Sequence, residues 1–300
     1  MNAPVFFGLR YSQQVDGAVS RLFAGQNRFS SVPPSLTVPD AGAGGDSPLP
    51  AAHIHHSKGS FSMGFIRKLV RALSSDKYRK NPAKPSLTGE QLAALNVGAI
   101  NAEQVMCFCD SLETGEPRRD LARSLSEHYD IVDEKTAVSV LDWLRDRGHH
   151  VYFNAIKNFV AGSASKIDIS LLQENERCET YDFIKNLRAV LPEMIREGFL
   201  GSREGLPEVS AVAWDMGRLV LVARCCFDLG YVSQETAWQY IEDAYEQCRS
   251  TYPDWRGVAQ GYLLGRGMWN GPGPMLQGLE SIANGLLTDM DSPWSKYALK

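Results

Sequence analysis

The stretch from Val209 to Leu229 reads VSAVAWDMGRLVLVARCCFDL. It is apolar on nearly every side of a 3.6-residue period, which marks a helix buried at the centre of a domain rather than one lying on its surface. Three ionisable residues, Asp215, Arg218 and Arg224, are set inside it. A lone buried ion is too costly to keep, so each needs a partner. Asp215 and Arg218 stand i,i+3 and can pair along their own helix. Arg224 lies roughly 180° around the axis from Asp215 and needs a partner elsewhere. Glu242, Asp243 and Glu246 on the following helix are the candidate acids, and Arg266 competes for them.

Working outward, the chain punctuates itself as a series of helices. Thr88 and Gln91 form a capping box before an apolar-periodic run from Leu92 to Cys109. A helix is expected over Arg118 to His128. Asp133 caps the next, whose buried stripe is Ala137, Val140, Leu141 and Leu144, and Gly148 ends it. Further helices are expected over Val151 to Ala161, from a Thr180 cap to Gly198, from a Ser233 cap through Cys248, and from Asp254 to Trp269, where Gly271 and Pro274 stop the chain. Strand-like alternation is nowhere sustained. The expected fold is all-α, a single multi-helix domain over residues 86–300 around a buried central helix.

The N-terminal part differs. Residues 1–60 are rich in Ser, Pro and Gly, offer too little apolar surface to offset ordering, and read as a disordered extension. Residues 61–85 read as a short basic amphipathic helix and a linker, with Phe65 on the apolar side and Arg67, Lys68 and Arg71 on the other. That helix either docks on its own domain or meets an anionic membrane surface.

Composition narrows the class. The chain has 300 residues, 44% hydrophobic and 22% charged, with a net charge of -4. This is the make-up of an ordinary water-soluble domain, and it lacks the basic surplus of a nucleic-acid binder. No apolar run of 18 or more residues offers a transmembrane helix. The run from Val5 to Leu9 is too short for the core of a secretory signal. The 6 cysteines show no CxxC spacing and read as reduced, buried thiols of a cytoplasmic protein.

Few residues point to chemistry. The glycine-rich run from Gly261 to Gly271 lacks the Lys-Ser/Thr of a phosphate loop and follows no strand, so it reads as close helix packing. His53, His55 and His56 sit in the extension without a preorganised geometry, and His149 and His150 read as a surface turn, so no metal or cofactor is expected. No catalytic residue is assigned: Asp215 has no second carboxylate or histidine at a supporting spacing. The candidate binding set is Asp215, Arg218, Arg224, Tyr262, Arg266 and Trp269. It is either a polar lock between helices or the wall of a small-anion pocket.

The combination Trp214-Asp215-x-Gly217-Arg218, Ala223-Arg224, Gly230-Tyr231, Ala237-Trp238 and Tyr262-x2-Gly265-Arg266-x2-Trp269 resembles the YbeU/YbeR-like family of bacterial proteins (domain of unknown function 1266). Leu87 to Leu92, Ala137 to His149 and Ser292-Pro293-Trp294 extend the resemblance to roughly residues 86–297. It implies a mainly helical bacterial protein without an agreed activity, and it supplies no catalytic residues. The expected function is a non-catalytic interaction protein binding another protein in the cytoplasm, accessory or immunity-like in an interbacterial toxin or secretion locus. Two alternatives stand beside it. One is a secreted effector whose residues 1–60 are the export address; the other is an anion binder or enzyme using Asp215, Arg218 and Arg266.

Overall fold

The computed structural model describes residues 77–300. The extension at 1–60 and the basic helix with Phe65, Arg67, Lys68 and Arg71 lie outside the described residues. Among the described residues every regular element is helical, so the all-α expectation holds. No described helix is long and apolar enough to cross a membrane.

The elements are α1 (Gly89–Asn96), α2 (Ala99–Val105), α3 (Arg118–Tyr129), α4 (Glu134–Asp146), α5 (His150–Ala161), α6 (Thr180–Arg196), α7 (Val212–Leu229), α8 (Gln234–Thr251), α9 (Trp255–Asn270), α10 (Pro274–Thr288) and α11 (Pro293–Lys296), joined by short 3₁₀ turns at Ile169–Leu171, Glu174–Glu179 and Arg203–Glu208. The central helix is α7: α2, α3, α4, α5, α8 and α9 all pack against it. Most of its residues are buried, including Asp215, Arg218 and Arg224. α6 lies across α9 and α5, while α10 leans on α9 and α2.

Local chemistry sets the helix starts. Thr88 Oγ1 accepts from the Gln91 N–H at 3.1 Å, and the Gln91 side chain accepts from the Thr88 N–H at 3.0 Å. Asp133 Oδ1 takes the Thr136 N–H at 2.8 Å, Ser233 Oγ that of Thr236 at 3.0 Å, and Asp254 Oδ1 that of Gly257 at 2.9 Å. Each side chain satisfies a donor that the helix itself cannot.

Two expectations need correction. The run Leu92 to Cys109 is not one helix: α1 ends at Asn96, α2 begins at Ala99, and the chain turns at Met106 with φ of 62°. The break falls where Gly98 meets Val220 of α7, since a Cβ there would stand 2.7 Å from Val220 Cγ1. Thr180 does not cap α6. A 3₁₀ turn runs directly into that helix, and the Thr180 hydroxyl donates to the Arg177 carbonyl at 2.8 Å.

The glycines of α9 serve packing, as their spacing suggested. A Cβ on Gly265 would stand 2.8 Å from Trp214 Cβ, so α9 and α7 approach this closely only because that position is bare. The two ends of the described chain are clasped together. The Asn96 amide donates to the Pro293 carbonyl at 3.0 Å, and Trp294 Nε1 donates to the Asn96 carbonyl at 2.8 Å. Trp294 also stacks on Trp255 with centroids 5.2 Å apart.

Candidate functional site

Asp215 is fully buried, near the start of α7, and faces the start of α5. Its carboxylate accepts the His149 N–H at 2.9 Å, the His150 N–H at 2.8 Å, the His150 ring Nδ1–H at 2.9 Å, and the Arg218 guanidinium. His149 stands at the cap position just before α5 and His150 is its first residue, and that helix has no capping side chain of its own. Asp215 therefore caps α5 from a different helix. It satisfies two donors of the first turn and sets a negative charge at the positive end of the helix dipole.

Gly148 makes this approach possible. It has φ of +59°, and a Cβ there would run into the Asp215 carboxyl group. Backbone conformation and space thus both require glycine at this one position.

Arg218 completes the centre. Its guanidinium lies 3.8 Å over the Trp214 ring and donates to His149 Nδ1 at 3.0 Å. An arginine only donates, so Nδ1 of His149 must be an acceptor and the ring is neutral with its proton on Nε2. The 3.9 Å separation between His149 Nδ1 and Asp215 is accordingly not an ion pair. Burial first, and the Arg218 charge second, push the His149 pKa down to about 3. Burial alone would raise that of Asp215, but the Arg218 charge and the His150 hydrogen bond outweigh it and hold it at about 2.

Aromatic rings enclose the centre. His149 lies 5.0 Å from both Trp143 and Trp214, centroid to centroid, and Trp214 lies 5.7 Å from Trp269, over which Arg266 is placed at 4.8 Å. Tyr262, also buried, lies against Gly217 and accepts at its hydroxyl from the Asn101 amide at 2.9 Å.

The residues singled out from the sequence are thus partly assembled. Asp215 and Arg218 form the centre, while Arg266, Trp269 and Tyr262 lie on its α9 side. Arg224 is not part of it and does not meet Glu242, Asp243 or Glu246. It is 1% exposed and donates to three carbonyls: Leu112 at 3.1 Å, Phe108 at 2.6 Å and Glu113 at 2.9 Å. That side of α7 faces the turn between α2 and α3 rather than α8. Asp243 instead lies 3.7 Å from Arg145, and Glu246 pairs with Arg249 at 3.2 Å. A second correction concerns His149 and His150: they are not a surface turn but partners of Asp215. The signal was their place directly after a glycine stop and at the head of an apolar run, where a helix start lacks a cap.

Such a centre binds the fold to pH with a defined sign. Native His149 stays neutral down to about pH 3, whereas an unfolded histidine takes up a proton from about pH 6.5. Stability is therefore complete above that range and is lost as the pH falls below it. Asp215 adds stability above its ordinary value of 3.8, lost as pH falls toward 2. Between pH 7 and pH 5 the chain should lose about 2 kcal/mol through His149 alone. Urea unfolding across that range measures it, and His149→Gln, which keeps an acceptor toward Arg218, should flatten the slope. Other groups titrate in the same range, so the difference between wild type and His149→Gln decides: an identical pH dependence in both would refute the neutral imidazole.

Two surface hollows, of about 390 and about 200 Å³, are lined by none of these residues. Among the described residues no group of three His, Cys, Asp or Glu side chains could hold a metal ion. Cys107, Cys109, Cys178, Cys225, Cys226 and Cys248 form no disulfide; Cys178 is exposed and Cys109 half-buried, against the expectation of buried thiols, and burial pushes Cys107 up to about 11, which leaves it unreactive.

Neither a curated protein nor a solved structure gives a significant match to the chain. One family model does, described as a protein of unknown function (DUF1266), over residues 124–299. Its span contains Gly148, His149, His150, Asp215, Arg218 and Trp269, the residues that build the buried centre. Residues 89–123 fall before it, yet α1 and α2 pack into the same core. Because the matched region is more than half of the sequence, the chain belongs to the DUF1266 family of proteins of unknown function.

Proposed function

We propose that this chain is a non-catalytic helical interaction protein: its buried charged centre fixes the scaffold, and its outer surface docks another protein. An accessory or immunity-like role beside an interbacterial toxin or secretion system is the concrete form of this reading. One observation carries it. The Asp215 carboxylate is fully buried and already takes four donors. A general acid or base must reach a reacting atom, and this carboxylate has neither room nor a vacant acceptor for one. Arg224 is likewise committed to backbone carbonyls. The exposed acids Glu242 and Glu246 on α8 suit a partner with a basic face, since complementary charge speeds and orients docking.

The test has two arms. Phosphate, sulfate and citrate should leave the melting temperature of the wild type unmoved, because Arg218 is spent on Asp215 and His149. A rise of several degrees that Arg266→Ala abolishes would install the anion-binding reading instead. In native extracts the chain should travel in a stoichiometric complex, and reversing Glu242 and Glu246 to Lys should slow its formation about tenfold or more. A chain that is monomeric in its own cells under every condition would sink the proposal.

A further inference from the structure

The hollow of about 390 Å³ lies between α6 and α10, lined by Glu193 and Arg196 from α6, by Glu197 just past its end, and by Gln277, Glu280 and Asn284 from α10. Acidic residues at a surface are usually just solvated, and three of them do not make a site. Glu280 is different. It is only 6% exposed, lines the hollow, and its buried Oε1 has no hydrogen-bond partner. A carboxylate oxygen removed from water and left unpaired is costly, and native folds seldom keep one without a use. The other two carboxylates are already engaged: Arg196 reaches Glu193 at 3.4 Å and Glu197 at 3.0 Å, and the Gln277 amide donates to Glu193 at 3.2 Å. Among the described residues Arg196 is the guanidinium that lines the hollow, and it turns toward Glu193 and Glu197, while Glu280 is the acid there whose buried oxygen has no partner.

We infer that this groove is a binding site for an organic ammonium group, with Glu280 as its buried counter-ion. An ammonium carries three donors on a compact head. It fits a hollow with Glu280 in its wall, two further carboxylates at the rim and the amide oxygens of Gln277 and Asn284, once the Glu280 side chain turns its buried, unpaired oxygen outward. A metal ion is a poorer fit, because the carboxylates do not converge tightly enough to form a ligand set. The same group can arrive on a free polyamine or on a lysine side chain of a partner protein. The inference goes beyond the docking reading and stands or falls separately from it.

The electrostatics agree with the geometry. Burial, then the charges of Glu193 and Glu197, push the Glu280 carboxyl up to about 7, with Arg196 opposing. Near neutral pH the empty groove thus holds a proton on Glu280 for part of the time. A bound cation would favour the ionised form, so binding releases a fraction of a proton and tightens as the pH rises from 6 to 8.

Titration calorimetry on the full chain tests this with spermidine, with a short lysine-bearing peptide and with Mg²⁺, in two buffers of different ionisation heat. Saturable 1:1 binding of either ammonium probe, with proton release at pH 7 and about tenfold loss of affinity in Glu280→Gln, supports the site. Which probe wins identifies the source as a free polyamine or a partner's lysine. Asn284→Lys guards against a misfolded variant. It sets an ammonium four residues after Glu280 on the same helix, where the pair attracts, so it should raise the melting temperature and abolish binding. No saturable binding of either ammonium probe, equal binding by Glu280→Gln, or occupation by Mg²⁺ in their place would overturn the inference.

Discussion

Asp215→Ala is expected to cost roughly 3–5 kcal/mol, the usual result of stripping one partner from a buried ion pair. The substitution orphans three things together: the Arg218 guanidinium, the first N–H groups of α5, and the His150 ring. At this chain length such a loss lowers the melting temperature by about 10 °C. Asp215→Asn keeps the volume but turns an N–H₂ toward groups that can only donate, so it should recover little. The double variant Asp215→Ala/Arg218→Met should be more stable than Asp215→Ala alone, because it removes the stranded cation. That coupling separates an ion-pair effect from a cavity effect. Denaturation in urea gives all three values; a cost below about 1 kcal/mol for Asp215→Ala would mean that the pair does not hold α5.

Arg224→Met should be nearly as damaging, about 3–4 kcal/mol, for a different reason. It breaks no ion pair but leaves three carbonyls of the turn between α2 and α3 without their donor. The damage is therefore local first. Hydrogen exchange should rise across residues Cys107 to Thr114 at denaturant concentrations that leave α9 protected. Arg224→Lys should rescue less than half, since a single ammonium cannot reach three divergent oxygens as a planar fork does. Uniform exchange along the whole chain in Arg224→Met would show that the turn depends on something else.

Much of the architecture could be read from residue order, because the decisive signals were local. Thr88, Asp133, Ser233 and Asp254 announced helix starts through side chains acting within three residues. The unbroken apolar surface of α7 announced its central place, and the i,i+3 spacing of Asp215 and Arg218 announced their pairing. What escaped was set by distance in the chain. The bond from Asp215 to the head of α5 joins residues 65 positions apart, and no local pattern encodes it. Arg224 was assigned to acids because acids are its usual partners; that a cluster of carbonyls would fold back to receive it is a property of the turn, not of the helix. α10 was legible and missed: Pro274 suits a first helical position, and Leu276, Leu279, Ala283 and Leu286 follow at helical spacing. The break at Gly98 depended on the bulk of Val220 and could not be read locally.

The cap that α5 borrows from α7 bears on how the molecule is made. A nascent chain cannot finish the first turn of α5 until residue 215 has left the ribosome, and the Asn96–Trp294 clasp waits until Trp294 has followed. The helices before α7 emerge with the sides that face it still uncovered. Any fragment that ends before residue 215 leaves the head of α5 without its cap.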